Sequence, residues 1–257
     1  MKAKKLSNPL KKLLQQKKTT IGSWITMAHP LIPQILAPAG FDWFAVDMEH
    51  SSIDLGDLLG MIIAIEATGK VPLVRVGEND PCLIKRVMDA GAYGVIVPNV
   101  SSVDDARRAV NAVKYPPQGQ RGVGLYRAQG FGRYFEEYKR WLDQESVVIV
   151  QIEHIDALKE IDEILTVKGV DAFMIGPYDL SASMGKPGRF SDPDVVKVID
   201  RIMASARRHN LAAGFHIVPP DPKLVKQKIK QGFSFLAYSV DSILLGEAAD
   251  NAMKGLV

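Results

Sequence analysis

Four apolar runs in this sequence meet an ionisable residue near their ends, and together those residues suit enolate chemistry. The residues are His50 in WFAVDMEH, Arg75 in PLVRV, Glu153 in VVIVQIEH and Asp179 in IGPYDLS. Two carboxylates, with water in the remaining positions, suit a hard divalent ion such as Mg²⁺ or Mn²⁺, which can polarise a keto oxygen and stabilise an enolate. A histidine can move a proton near neutral pH, and an arginine supplies positive charge where negative charge develops.

Side-chain alternation along a strand indicates which neighbouring residues share the site. Gln151 and Glu153 are two positions apart and face the same way, whereas His154 faces away from them. Asp47 and Glu49 share a face for the same reason. We therefore expect Gln151 to lie inward beneath Glu153.

Each polar residue, taken alone, also has a structural interpretation. Arg75 can be an ion-pair partner inside a barrel, and the carboxylates can cap the helices that follow them. His29, His209 and His216 are interpreted as structural, although His29 and His216 lie near strand ends where a substrate can reach. Cys82 opens a helix, where packing is its expected role. The convergence of four strand ends on one chemistry favours the catalytic interpretation.

The elements that must position these residues alternate between β-rich runs and helical patterns. Eight strands are predicted, at 21–27, 43–49, 72–76, 93–100, 146–154, 170–177, 211–218 and 233–240. Several are continuous apolar runs, which are typical of strands covered on both faces. Eight such units in 257 residues predict a single-domain (β/α)₈ TIM barrel over 1–257, with its site at the C-terminal ends of the strands. An open doubly wound sheet is the alternative.

Two segments fall outside the repeating pattern. Residues 1–20 predict a short N-terminal helical extension with one apolar side, formed by Leu6, Leu10, Leu13 and Leu14. The connection over 115–145 is too long for an ordinary link, and its second half, from about Tyr134, is predicted to be helical. Long connections of this kind often carry function or subunit contacts.

Composition narrows the class of protein. The formal net charge of +3, 47% hydrophobic residues and 24% charged residues are ordinary for a globular enzyme, so nucleic acid is not an expected partner. No apolar run approaches the length of a membrane span, and the basic N-terminus lacks the apolar core of a signal peptide. One cysteine cannot form an internal disulfide. The expected location is the cytoplasm.

The segments that carry the polar residues resemble the HpcH/HpaI family of class II, pyruvate-dependent aldolases. The matching stretches are AGFDWFAVDMEH, PLVRV, LIKRVMDAGAYGVIVPNV, YPPQGQRGVG, VVIVQIEH and IGPYDLSASMG. The resemblance runs from about Gly22 to the last helix. It implies an aldehyde-lyase that reversibly cleaves a 4-hydroxy-2-oxo acid into pyruvate and an aldehyde, through a pyruvate enolate held by a divalent metal ion (Mg²⁺, Mn²⁺ or Co²⁺).

The resemblance also implies roles for the proton-transfer and charge-stabilising residues. His50 is the general acid/base, and Asp89, in KRVMDAG, corresponds to the acid that raises its basicity. Asp47 is expected beside His50. Arg75 corresponds to the transition-state stabiliser that contacts the keto-acid carbonyl oxygen.

A further set of residues corresponds to those that hold the metal and the keto acid. Glu153 and Asp179 are the implied metal ligands, and Gln151 together with the backbone at Tyr178 and Asp179 is expected to hold pyruvate. The family pattern usually has a small residue in place of Tyr178, and the loop GLYRAQGFG also departs from it. The acceptor aldehyde therefore stays open.

Rival interpretations remain. One is a lyase or synthase with a citrate-like product, its acceptor bound by Arg121, Arg127 and Arg133, and another is a barrel kept as a non-catalytic scaffold. A class I mechanism would need a Schiff-base lysine, for which Lys85 is the candidate, although its place in a helix disfavours it.

A homo-oligomer is also expected. The last helix carries the apolar residues Leu244, Leu245, Ala248 and Ala249. The resemblance implies that this helix is exchanged between subunits and that the assembly is a hexamer, arranged as a trimer of dimers.

Overall fold

A computed structural model describes residues 7–256 and contains a closed barrel of eight parallel strands, which confirms the predicted TIM barrel. Each strand pairs with the next along the chain, and the last pairs with the first. The strands are β1 Thr20–Ile25, β2 Trp43–Asp47, β3 Val71–Arg75, β4 Gly94–Val97, β5 Val147–Ile152, β6 Ala172–Ile175, β7 Ala212–Ile217 and β8 Phe235–Val240.

Helices follow the strands and cover the outside of the barrel. They are α1 Pro9–Gln15, α2 Leu31–Leu36, α3 Leu55–Ala67, α4 Pro81–Ala90, α5 Val103–Val113, α6 Phe135–Glu145, α7 Ile161–Leu165, α8 Pro177–Ser183, α9 Pro193–Arg208, α10 Pro222–Lys230 and α11 Asp241–Met253. Short 3₁₀ turns lie at Ala37–Ala39, Arg127–Gln129 and Ile155–Lys159. No helix within the described part of the chain is both long and apolar enough to cross a membrane.

Local signals in the sequence explain where these helices begin and end. Ser102 and Asp105 form a capping box at the start of α5, because each side chain bonds to the backbone N–H of the other. Pro81 occupies the first turn of α4, where its missing N–H costs nothing. Gly91 ends α4 with φ of 109°, a conformation that favours glycine.

Alternation along the strands divides their side chains between two apolar clusters. Outward side chains such as Phe44 and Val46 pack against the helices, whereas inward ones such as Trp43 and Ala45 fill the barrel. Trp43 stacks on Phe235 with ring centroids 4.5 Å apart. The lower barrel is therefore filled by side chains, and the buried Thr20 hydroxyl there accepts from Trp43 Nε1 at 3.1 Å.

Helix α1 closes the end of the barrel opposite the strand C-termini. Leu10 and Leu14 are buried in the same cluster as the inward-facing strand residues, as the predicted N-terminal extension requires. The Asn8 side chain caps the helix by accepting from Leu10 N and bonds to the carbonyl of Glu145 at 2.9 Å. Leu6 lies outside the described residues.

The structure corrects four expectations drawn from the sequence. Strand β2 ends at Asp47 and strand β5 ends at Ile152, before Glu49 and Glu153, because ladder pairing stops at those residues. The stretch after β6, predicted as a loop, begins with the helix α8. The single helix predicted after β5 is instead a 3₁₀ turn followed by α7.

The long connection between α5 and β5 lies at the end of the barrel where α1 packs. Its second half forms α6, as predicted. In its first half the Arg121 side chain is fully buried, with its guanidinium 2.6 Å from Asp89 and within hydrogen-bond distance of the Tyr138 hydroxyl. Arg127 pairs with Glu66 and donates to the carbonyl of Ala90. The connection is thus anchored to α3, α4 and α6.

Candidate active site

The C-terminal ends of β2, β3 and β5 bring the main polar residues together. Asp47 and Arg75 are the last residues of β2 and β3 and stand opposite each other in the strand register. Gln151 lies in β5, and Glu153 follows one residue after that strand ends. All four side chains are buried. The barrel therefore positions them at one mouth, as strand-end counting predicts.

Arg75 is held by two carboxylates at the centre of this mouth. Its Nε donates to Asp47 Oδ1 at 2.9 Å, and its Nη2 donates to Asp47 Oδ2 at 2.5 Å. Its Nη1 lies 3.3 Å from Glu49 Oε2. Burial alone would raise the pKa of Asp47, but the hydrogen bond and charge of Arg75 outweigh burial and hold that pKa below its usual value. The pair therefore fixes a positive charge in a largely dry site.

Two aromatic rings extend this arrangement across the barrel. The Arg75 guanidinium carbon lies 4.3 Å from the centroid of the Trp24 ring, and the His216 ring meets Trp24 edge-on with centroids 5.6 Å apart. Burial and the charge of Arg75 lower the pKa of His216 to about 4, so its imidazole is neutral near pH 7. Alternation along β7 places His216 on the same inward face as Ala212 and Gly214. This alternation is visible in the sequence and would have placed His216 inside the barrel, but the interpretation of His216 as structural did not use it.

Glu153 is fixed by two donors and one small neighbour. Its Oε1 accepts from the backbone N–H of Asn99 at 2.6 Å, and its Oε2 accepts from Gln151 Nε2. A Cβ at Gly176 would lie 2.6 Å from Glu153 Oε2, so only glycine leaves room for the carboxylate. Asn99 was not predicted as a site residue. Its left-handed φ of 54° turns the chain after β4, and a backbone donor leaves no side-chain signal in a sequence.

Excess negative charge makes this mouth suitable for a divalent cation. Burial and the nearby Asp179 raise the pKa of Glu153, although Gln151 and Asn99 oppose that shift. Burial, reinforced by the charges of Glu153, Asp47 and Asp179, raises the pKa of Glu49 to about 7 despite Arg75. Four carboxylates thus influence one another around one guanidinium, an arrangement that a bound cation would relieve.

The carboxylates at the mouth can supply only some of the ligands of a metal ion, so water or substrate oxygens would complete its coordination. No three His, Cys, Asp or Glu side chains converge into an all-protein metal cage among residues 7–256. Magnesium characteristically binds through one or two carboxylates and keeps several waters or substrate oxygens. The buried Gln151 Oε1 also has no hydrogen-bond partner within the described chain, which leaves it available to a substrate. The residues present therefore fit a hard divalent ion.

His50 stands at the rim of the mouth. Its side chain is 66% exposed, and its Nε2 lies 3.6 Å from Glu49 Oε2. Its backbone N–H donates to Asp47 Oδ1 at 3.3 Å, which places Asp47 beside His50 through the main chain. The imidazole is thus exposed at the rim, beside Glu49.

Tyr178 and Asp179 occupy the first turn of α8. Both are exposed, and the helix begins at Gly176 without a side-chain cap, so the backbone N–H groups of this turn are open to an anion. The Tyr178 ring is 58% exposed and lies beside Gly188, where a Cβ would be 3.5 Å from the ring. The ring thus rests against the loop after α8.

The structure does not bring Asp89 to His50 within one chain. Asp89 lies in the last turn of α4, which runs from the mouth towards the opposite end of the barrel. The ten residues of α4 span about 15 Å. The Asp89 carboxylate accepts from Arg121 Nη2 at 2.6 Å instead. Any contact between Asp89 and His50 must therefore join two copies of the chain.

Two other predicted alternatives lose their structural basis. Lys85 lines a groove between α4 and α5 on the outer surface, not the mouth, so it is badly placed for a Schiff base. Arg121 and Arg127 are paired with Asp89 and Glu66 at the far end of their own barrel. They do not line an acceptor pocket in the same chain.

The family model described as HpcH/HpaI aldolase/citrate lyase matches residues 20–248, which is nearly the whole barrel. The chain belongs to this family. It is 37% identical over 250 residues to an Escherichia coli 2-keto-3-deoxy-L-rhamnonate aldolase, covering 96% of this chain and 92% of the relative. The family assignment predicted from the sequence is confirmed.

Solved structures of relatives agree with this assignment. An HpcH/HpaI aldolase/citrate lyase family protein from Burkholderia cenocepacia J2315 has a TM-score of 0.91 at 32% identity, covering 97% of this chain and 99% of the other. A citrate synthase has a TM-score of 0.82 at 26% identity, covering 96% and 99%. This family member is accordingly an aldehyde-lyase of the metal-dependent pyruvate aldolase type, and the metal is divalent.

Proposed function

We propose that this aldolase cleaves 4-hydroxy-2-oxo acids derived from sugar acids into pyruvate and a hydroxyaldehyde, with Arg75 at the centre of its chemistry. The observation that carries this proposal is the buried Arg75–Asp47 pair beside the buried Glu153 carboxylate. The E. coli relative is named for 2-keto-3-deoxy-L-rhamnonate, whose retro-aldol cleavage gives pyruvate and a hydroxyaldehyde. Its similarity over nearly the whole chain supports the same substrate class here.

Glu153 and Asp179 would hold the divalent ion, which is Mg²⁺, Mn²⁺ or Co²⁺. When bound, the ion supplies Lewis-acid polarisation of the keto oxygen. The Gln151 amide, which donates one Nε2–H to Glu153, has a second N–H that it can donate to the keto acid, and the open N–H groups at Tyr178 and Asp179 suit the carboxylate of the keto acid. The keto-acid half of the substrate would therefore lie between β5 and α8.

In cleavage, His50 would take the proton from the C4 hydroxyl, after which the C3–C4 bond breaks and the aldehyde leaves. Arg75 would stabilise the negative charge that passes to the keto oxygen, because its charge is fixed before the reaction begins. Protonation of the methylene carbon then gives pyruvate. Condensation is the reverse of these steps. Asp89 would raise the basicity of His50 from a second copy of the chain.

Assembly into a homo-oligomer, a hexamer in the family pattern, is part of this proposal. Helix α11 buries little of its surface within its own chain, and Leu245 on it is 61% exposed. Residues 1–257 would form one barrel domain, in which α1 precedes the first strand. An exchange of α11 between subunits would cover its apolar side and bring Asp89 of one copy towards His50 of another.

Exchange of the methyl protons of pyruvate in deuterated water tests the keto-acid half without requiring the aldehyde. We expect exchange with Mg²⁺, Mn²⁺ or Co²⁺, its loss with a chelator, and its restoration by added metal. Glu153→Gln should lower the exchange rate at least a hundredfold, whereas Glu163→Gln on the outer helix α7 should leave it unchanged. Absence of exchange in the metal-loaded protein would favour a non-catalytic barrel.

The second candidate function is a synthase that joins an enolate to a larger keto acid. The 26% identity and full-length coverage of the citrate synthase favour considering it. An oxaloacetate acceptor would need positive charge at the mouth besides Arg75. Proton exchange with pyruvate, but turnover with oxaloacetate and not with hydroxyaldehydes, would select this function.

A further inference from the structure

A serine hydroxyl joins the two segments that carry the proposed metal ligands. Ser183 is the last residue of α8, and its Oγ accepts from the backbone N–H of Ile155 at 3.0 Å. Ile155 follows Glu153 by two positions in the turn after β5, and Asp179 lies in the first turn of the same helix as Ser183. The hydrogen bond therefore connects the Glu153 segment directly to the Asp179 segment.

Helical spacing places Ser183 on the same side of α8 as Asp179. The two residues are four positions apart, and side chains at that spacing lie one above the other. Because Ser183 contacts the backbone after β5, this side of α8 faces the segment that carries Glu153. Burial and then the charge of Asp179 raise the pKa of Glu153, so the two carboxylates are also close enough to influence each other.

The Ser183 hydroxyl is oriented for this contact by its own helix. Its Oγ donates to the carbonyl of Leu180 at 2.7 Å, which leaves its lone pairs for the bond across to the turn after β5. The neighbouring Ser181 makes a different link, since its Oγ donates to the Tyr178 carbonyl and accepts from the backbone N–H of Gly188. Of these two serines, Ser183 is therefore the one whose side chain ties α8 to β5.

The backbone makes a second link between the same segments. The N–H of Gly176, just before α8, donates to the carbonyl of Ile152 at 3.3 Å. That bond holds the start of the helix, while Ser183 holds its end. A metal site needs its ligands held to within about 0.5 Å, and hydrogen bonds behind the ligands provide this precision.

We infer that Ser183 is a positioning residue of the metal site, which sets the distance between the Glu153 and Asp179 carboxylates by tying the end of α8 to the backbone after β5. This inference rests on the proposed function, because it takes those two carboxylates as the ligands. Ser183 itself would not bind the ion, since its hydroxyl is used by Leu180 and Ile155. Its loss should therefore weaken metal binding and not abolish it.

Calorimetric titration of the full chain with Mn²⁺ measures this effect without turnover. The variants are Ser183→Ala, which removes the hydroxyl, and Ser183→Thr, which keeps a hydroxyl at the same position. The matched control is Ser205→Ala, because the Ser205 hydroxyl also joins two elements, donating from α9 to Asp162 on α7 at 2.6 Å. Glu153→Gln is the reference for loss of a ligand.

We expect Ser183→Ala to bind Mn²⁺ about tenfold more weakly than wild type, as is usual when a hydrogen bond behind a metal ligand is lost. Ser183→Thr and Ser205→Ala should bind Mn²⁺ as wild type does. Pyruvate proton exchange by Ser183→Ala should return to near the wild-type rate once Mn²⁺ saturates the site. Urea denaturation should show similar losses of stability for the two alanine variants.

The ligand variant separates failure of this inference from failure of the proposed function. If Glu153→Gln loses Mn²⁺ binding but Ser183→Ala and Ser205→Ala bind Mn²⁺ equally, or if Ser183→Thr is as weak as Ser183→Ala, the inference is wrong and the proposed function stands. Exchange by Ser183→Ala that stays low at saturating Mn²⁺ would also overturn the inference, because Ser183 would then affect more than metal affinity. If Glu153→Gln binds Mn²⁺ as tightly as wild type, the proposed metal site and the inference are both wrong.

Discussion

The charged guanidinium of Arg75 is buried at the mouth of the barrel, where neighbouring side chains replace the stabilisation that water gives to an exposed charge. Asp47 supplies two hydrogen bonds, Glu49 supplies a second negative charge, and the face of Trp24 lies under the guanidinium. A charge held in this way needs no reorganisation when an enolate forms beside it. The same dependence makes the site sensitive to any loss among these neighbours.

Asp47→Asn should therefore destabilise the fold as well as slow the reaction. Removal of one partner of a buried ion pair leaves the other charge uncompensated, and we expect a loss of about 3 kcal/mol in the free energy of unfolding. Urea denaturation measures this loss. Asp57→Asn, at an exposed position in the first turn of α3, is the matched control and should change stability by less than about 0.5 kcal/mol. Equal effects for the two variants would contradict the buried-pair interpretation.

His216 should make the fold sensitive to mild acid. The unfolded chain takes up a proton at this residue near the usual histidine pKa, whereas in the folded chain burial and Arg75 lower the pKa to about 4, with Asp47 opposing them. Stability that is complete above pH 6.5 is thus lost as the pH falls towards 4, by on the order of 3 kcal/mol. The urea midpoints measured at pH 7 and pH 4.5 should differ less for His216→Leu than for wild type. His209→Leu should behave as wild type does.

At the scale of elements, periodicity in the sequence predicts most of what positions the site. Apolar runs locate the eight strands to within a few residues, and alternation places Gln151 beneath Glu153. The sequence does not reveal α8 or the Asn99 donor, because a seven-residue helix has too few turns for a periodic signal and a backbone N–H has no residue type. Polar residues on adjacent strands are predictable, whereas loop geometry depends on the assembled barrel.

Gly176 links β6 to α8 and shows how one loop position governs the carboxylate cluster. In Gly176→Ala the new Cβ would fall 2.6 Å from Glu153 Oε2 and 3.0 Å from Glu153 Cβ, so the carboxylate must move. Backbone strain is not the cause, since φ is −88°. We expect roughly tenfold weaker Mn²⁺ binding by calorimetry, with the fold retained.

The matched control for that substitution is Gly60→Ala, since a Cβ at Gly60 would meet nothing within 4 Å on α3. An alanine inside a helix should raise stability slightly and leave metal affinity unchanged. If Gly176→Ala bound Mn²⁺ as tightly as Gly60→Ala, Glu153 would not be a metal ligand.

For the whole molecule, the separation of His50 and Asp89 predicts a division of labour between subunits. A mixture of His50→Ala and Asp89→Asn, refolded or exchanged together, should recover aldolase activity that neither variant has alone. In a hybrid, an intact His50 from one chain can meet an intact Asp89 from another. Native mass spectrometry reports hybrid formation, and release of pyruvate from a 4-hydroxy-2-oxo acid reports activity.

The control for this mixture is His50→Ala combined with a doubly substituted chain, His50→Ala/Asp89→Asn, which can form hybrids but no intact site. It should stay inactive. Hybrids that form but recover nothing would place the role of Asp89 within its own chain, as the partner of Arg121. That outcome would leave the metal and Arg75 proposals unaffected.

The packed lower end of the barrel determines how small molecules enter and leave the site. With the Trp43–Phe235 stack inside and Leu10 and Leu14 sealing the far end, the barrel is a cup and not a tunnel. Both products of a cleavage must leave by the rim through which the substrate entered. In the proposed mechanism the aldehyde lies nearer the rim, beside His50, so we expect the aldehyde to leave first and pyruvate to leave last.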